Sequence, residues 1–181
     1  MTSVKRSRNR FIQLFRHAAI VGLYFVVVSG VADQGPKADC SSDTSFWATM
    51  KEIWVEFSAK DEKPLVIAAW LAKSPEQRAR GFQGVCPGLA SERSLLFSFP
   101  APVHANFHMT GVAVPLDIVF MDVSRQVIDI QRMILQESNE PMRYYRPNTE
   151  FQFALETVAG RLDQLRRKPG LWRMRVSNRS H

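Results

Sequence analysis

From Lys51 onward the chain is a succession of short apolar runs cut off by prolines, glycines and charged turns. That spacing points to a sheet rather than a helical bundle. Ile53, Val55 and Phe57 alternate with Glu52, Trp54 and Glu56, the period of two that sends every second side chain into a core. Asp61-Glu62-Lys63-Pro64 is a turn, and Leu65 to Ala72 reads as a second, more buried strand. Ser74-Pro75-Glu76-Gln77 opens a helix: a serine N-cap, proline at the first helical position and an acid in the first turn, with Gly81 at the far end. Ser94 to Phe99 is a strand stopped by Pro100 and Pro102, and His104 to Met109 is extended. Leu116 to Val123, Gln126 to Leu135, Phe151 to Val158 and Leu171 to Val176 complete the strand pattern. Residues 137–149 form a polar loop, and Gly160 to Lys168 a short basic helix. The expected fold is mainly β (α+β), one domain over residues 50–178. It would be a compact β-sandwich or flattened barrel of about seven strands with one or two short helices.

The first 32 residues follow a different logic. Lys5, Arg6, Arg8, Arg10 and Arg16 precede a charge-free run from Ala18 to Ala32, after which Asp33-Gln34-Gly35-Pro36 is polar. A basic start, an apolar run of roughly 7–15 residues and a small-residue exit describe a secretory signal peptide. A permanent span needs about 20 apolar residues, so an uncleaved membrane anchor is the weaker reading of this hydrophobic leader helix, and a buried amphipathic helix the remaining alternative. Residues 33–49 read as a polar tether. The expected location is periplasmic or extracellular, or anchored in the inner membrane with the domain outside the cytoplasm.

The leader also explains the charge. The formal net charge is +7, with 24 basic and 17 acidic side chains. The leader's five cations come with no acid, which leaves 19 basic against 17 acidic elsewhere. The body is nearly neutral, and no nucleic-acid partner is expected. Its residual positive charge sits in Arg161, Arg166, Arg167, Lys168, Arg173, Arg175 and Arg179, a stretch suited to an anionic surface or to guarding an edge strand. Cys40 and Cys86 both lie beyond the leader, where an oxidising compartment permits a disulfide; two unpaired thiols are the alternative.

Several chemistries lack their residues. There is no phosphate-cradling glycine loop, no Gly-x-Ser-x-Gly elbow and no Cys-x-x-Cys. No cofactor is expected. In an extended segment His104, Asn106 and His108 would share a face, but no adjacent third ligand completes a zinc site. The carboxylates carry more information. Asp117 and Glu156 each sit inside an apolar strand, where an acid is costly to bury without a partner. Either arginines such as Arg78, Arg80 or Arg132 pin them as structural ion pairs, or they share a cleft and act as acid and base.

Five blocks, in order, resemble the domain-of-unknown-function family numbered 192. These are Arg78-Ala79-Arg80-Gly81-Phe82-Gln83; Ser94-Leu95-Leu96-Phe97-Ser98-Phe99-Pro100; Phe107-His108-Met109 through Pro115-Leu116-Asp117-Ile118-Val119-Phe120-Met121-Asp122; Val127-Ile128; and Ala154-Leu155-Glu156-Thr157-Val158-Ala159-Gly160. The chain departs from that family's pattern at Gln83, His108 and Thr110-Gly111-Val112. The resemblance implies a β-sandwich-like fold, brings no established activity, and marks Asp117 and Glu156. The expected function is a non-enzymatic binding or accessory domain of the cell envelope. Its shallow cleft would lie near Asp117 and Glu156, with His108 and Arg78 as further ligand contacts. An envelope-polymer hydrolase or lyase using Asp117 and Glu156 is the first alternative, and a module using the basic C-terminus on a partner or membrane surface the second.

Overall fold

The computed structural model describes Cys40 and residues 45–178. The leader read from residues 1–32 lies outside the described residues. Among the described residues no helix is long and apolar enough to cross a membrane.

The order of elements is α1 (Ser45–Ala48), β1 (Lys51–Ser58), β2 (Leu65–Ala72), α2 (Pro75–Arg80), α3 (Pro87–Glu92), β3 (Ser94–Val103), β4 (Leu116–Met121), β5 (Val127–Met133), β6 (Phe151–Val158), α4 (Asp163–Arg166) and β7 (Arg173–Ser177). All seven strands join one sheet in the order β5-β4-β6-β3-β2-β1-β7. The architecture is therefore a single sheet and not the two stacked sheets of a sandwich. Its ends curl toward each other: a bridge joins Gln126 to Arg173, Val127 N–H donates to Trp172 O at 2.9 Å, and Met174 N–H donates to Arg125 O at 2.9 Å. The result is a half-barrel drawn together at one corner.

Pairing is antiparallel except between β2 and β3, which run parallel with α2 and α3 in the crossover. A parallel neighbour cannot be reached by a tight hairpin, so the intervening chain is obliged to cross one face. That crossing places α2 and α3 over the sheet. The sequence signals for α2 operate as read: Ser74 accepts from Gln77 N–H, the Gln77 side chain accepts from Ser74 N–H, and Pro75 begins the helix.

The two faces hold two cores. One gathers side chains from all seven strands, including Ile53, Val55, Phe57, Ile67, Leu96, Val119, Val127, Leu155 and Met174, and also takes in Leu162, Leu165 and Trp172 from the segment between β6 and β7. The other collects Trp70, Leu95, Phe97, Ile118, Phe120, Phe151 and Ala154 beneath Trp47, Phe82, Val85, Ala90, Phe107 and Tyr145. With both faces covered, β4 is buried at all six positions, which is why its sequence is a solid apolar run rather than an alternation.

Three local departures from the sequence reading stand out. β3 continues through Pro100 and Pro102 to Val103, with a register shift against β6 between Ser98 and Val103, where a missing N–H disturbs no regular ladder. His104 to Asn106 is not a strand, and Phe107 makes only an isolated bridge to Tyr145. The end of the stretch read as tether is part of the body: Trp47 is 1% exposed and its Nε1 donates to Gly81 O at 3.1 Å. A disulfide joins Cys40 to Cys86, with the Cα atoms 4.8 Å apart.

Candidate functional site

The two strand acids face in opposite directions. In the β4–β6 ladder Asp117 lies opposite Thr157, and Ile118 lies opposite Glu156. Directly paired residues share a face and consecutive residues alternate, so Asp117 and Glu156 belong to different faces. An acid/base pair formed from the two is excluded by the sheet itself.

Asp117 is fully buried and saturated. Its carboxylate accepts from Arg132 Nε at 2.9 Å, Arg166 Nη2 at 2.5 Å and the Gly160 N–H at 2.7 Å. Burial alone would raise its pKa; the bonds from Arg132, Gly160 and Arg166 outweigh that and hold the carboxyl below its ordinary range. Arg132 also reaches Asp163 at 2.9 Å. This is the structural ion pair that the sequence allowed, with Arg132 as one partner and Arg166, from α4, as a second that the sequence did not nominate. Asp117 is not among the residues that line the cleft over Glu156.

Glu156 is the opposite case. It is 5% exposed, and no described residue donates a hydrogen bond to its carboxylate. Burial pushes its pKa up to about 8, so it holds its proton at neutral pH. Above it opens a cleft of about 230 Å³. Phe97, Phe99 and Phe107 wall it, Arg78, Arg80 and Gln83 line it from the α2 side, and Asn106 and His108 from the segment before β4.

The local backbone explains how a carboxyl comes to floor an open site. Gly81 ends α2 at φ 51°, a conformation that disfavours other residues, and a side chain there would start 3.9 Å from Glu156 Oε2. The chain therefore passes close over the acid without covering it. Gly84 N–H donates to Gly111 O at 2.8 Å, tying the two lips together below the mouth. Arg78 donates to the carbonyls of Lys73 and Ser98 and lies 4.9 Å over the Phe99 ring. Arg80 lies 5.3 Å over Trp47 and 5.7 Å over Phe46. His108 Nδ1 accepts from Thr110 N–H at 3.3 Å, which leaves Nε2 to carry the proton of a neutral ring.

Of the residues singled out in the sequence, Glu156, His108 and Arg78 come together here, while Asp117 and His104 do not. His104 is exposed, 3.9 Å from Glu150, on another surface. Among the described residues no three His, Cys, Asp or Glu side chains converge as metal ligands would. Sequence reasoning missed the aromatic walls, because Phe97, Phe99 and Phe107 read simply as strand hydrophobics; it also missed Asn106 as a cleft residue, having placed it with His104.

Comparison with known proteins agrees with this picture of the fold. The model of family DUF192, described as "Uncharacterized ACR", matches residues 56–172. A UPF0127 protein of Thermococcus sibiricus is 30% identical over 79 residues, covering 42% of this chain and 47% of that relative's length. Two crystal structures share the fold. One is a Sinorhizobium meliloti protein described as a candidate transcription regulator, with a TM-score of 0.61 at 20% identity, covering 70% of this chain and 95% of that one. The other is a Novosphingobium aromaticivorans protein of unknown function, with a TM-score of 0.60 at 22% identity, covering 70% and 86%. With more than half its length matched by the family model, the chain belongs to the DUF192 family.

Proposed function

We propose that this chain is an exported envelope protein whose domain binds a small ligand in the cleft over Glu156 and performs no chemistry on it. One observation carries the reading: a glutamate 5% exposed, without a protein donor, at the floor of an open cleft. A fold selected for stability alone gains nothing from such a group, since burial disfavours its charged form and no described residue compensates that loss. A ligand that hydrogen-bonds to it would recover that loss. Export rests on the leader's basic start and short apolar run, and the Cys40–Cys86 bond supports an oxidising destination.

The test is a thermal-shift screen of the full-length chain against sugars, cell-wall fragments, lipids and small acids and their esters. A true ligand at a hundredfold excess over its Kd should stabilise by about 2.7 kcal/mol, which is several degrees in a domain of this size. Silence across the whole panel would sink the reading. For location, cell fractionation should recover the chain outside the cytoplasm; a purely cytosolic product would remove the export half of the proposal.

The reading based on the C-terminal cations has less to draw on. Arg166 is committed to Asp117, Arg161 Nη2 donates to Ser91 O at 3.3 Å and Lys168 pairs with Glu62 at 3.2 Å, which leaves Arg167, Arg173 and Arg175 exposed within the described residues.

A further inference from the structure

If the cleft is a binding site, as just proposed, its charges narrow what it accepts. Glu156 apart, the fully charged side chains lining it are Arg78 and Arg80. Neither forms a salt bridge among the described residues: Arg78 donates to two backbone carbonyls, and both guanidinium groups lie over aromatic rings. Stacking fixes their positions without neutralising them. Glu76 in the first turn of α2 acts on Arg78 through space but forms no close ion pair with either arginine, so an anion arriving at this mouth meets two guanidinium groups with no described carboxylate bonded to them. Farther in, the walls are phenyl rings, and at the floor stands one group able to hydrogen-bond.

We propose that the cleft takes a small organic anion with an apolar body. Its acid group would be met by Arg78 and Arg80, its body would lie along Phe97, Phe99 and Phe107, and a neutral acceptor such as a carbonyl would rest on Glu156. Carboxylates and phosphate monoesters share the anionic chemistry, and arginine suits both. Glu156 serves as the donor. Protonated, it gives a hydrogen bond to the carbonyl; ionised, it has none to give and repels the anion. The groups facing it are Arg78 and Arg80 from the α2 side and His108 from the segment before β4, while β3 and β4 present Leu95, Phe97 and Ile118. Of these, His108 is the one side chain that is neither an arginine nor apolar, so it is the control that the pH experiment requires.

Two probe pairs test this by calorimetry on the full-length chain: hippurate against its methyl ester, and 4-acetylphenyl phosphate against 4-methoxyacetophenone. Each pair keeps the ring and carbonyl and differs in the anionic group. At pH 6.5 at least one acid should bind about tenfold or more tightly than its uncharged partner, and Arg80→Gln should erase most of that preference. Its affinity should fall about tenfold by pH 9 as Glu156 loses the proton it donates. Glu156→Gln should keep binding and remove that fall, because an amide still donates; His108→Gln should retain it. Which acid wins separates carboxylate from phosphate ligands. Equal affinity for acid and uncharged partner would overturn the inference while leaving the cleft a binding site. The inference is likewise overturned if both acids fail but a neutral compound from the broader screen perturbs the NMR signals of Gly81 and Phe99. If nothing binds there, both ideas fall together.

Discussion

Asp117 and Glu156 are one ladder position apart on neighbouring strands, yet the two faces of the sheet treat them in opposite ways. On the face that packs against α4 the acid has two arginines and a backbone amide, and its charge is fully answered. On the opposite face the acid has phenyl rings and a cleft. Both are buried, so burial alone does not distinguish structure from site. What distinguishes them is whether the fold supplies partners. Asp117 fastens α4 and β5 to β4, whereas Glu156 fastens nothing.

The largest expected effect tests the first half of that contrast. Asp117→Ala strands Arg166 and Arg132 beside an empty buried position and should destabilise by about 3–5 kcal/mol in urea unfolding. A loss under 1 kcal/mol would mean that the cluster is ornamental. The sign with pH is fixed by the lowered pKa: the contribution is present above the unfolded value of 3.8 and fades as the solution is acidified through the lower folded value.

Glu156→Gln should do the reverse. The folded state keeps a proton that the unfolded chain releases above its ordinary value of 4.5, so stability declines as pH rises from there to about 8. The amide removes that penalty, and the variant should be more stable than the parent by about 3 kcal/mol at pH 7, with a flatter pH profile. A destabilised Glu156→Gln would reveal a structural role for the carboxylate and dissolve the comparison. The smallest effect concerns the cap that aims α2 at the cleft. Ser74→Ala should cost about 1 kcal/mol by thermal melting and lower affinity for any cleft ligand. An unchanged melting temperature would show that α2 is held by contacts such as those of Arg78 with Ser98 and Phe99 and not by its cap.

Much of the fold was legible in the sequence and less of the site. β1 announces itself by alternation, α2 by Ser74-Pro75 and β4 by its unbroken apolar run, because these signals are local. The single sheet was not legible, since strand order depends on contacts such as Gln126 with Arg173, far apart in the chain. α1 and α3 are too short to show a helical period. For the site, the sequence correctly marked two acids in apolar strands. It could not tell that a shared register would part them, because facing is decided by which residue lies opposite which. Nor could it find Arg166, which reaches Asp117 across 49 residues of chain.

The fastening of the α2 turn from behind has a practical consequence. Trp47 bonds to the carbonyl of Gly81, Arg80 lies over its ring, and the sulfur bridge secures Cys86 a few residues farther on. All of these anchors precede the first strand or reach back beyond it. A chain begun at Lys51 would keep every strand of the half-barrel and still lose the indole and the crosslink that brace one wall of the cleft. The working boundary of this domain therefore falls before Cys40, well upstream of where its sheet begins.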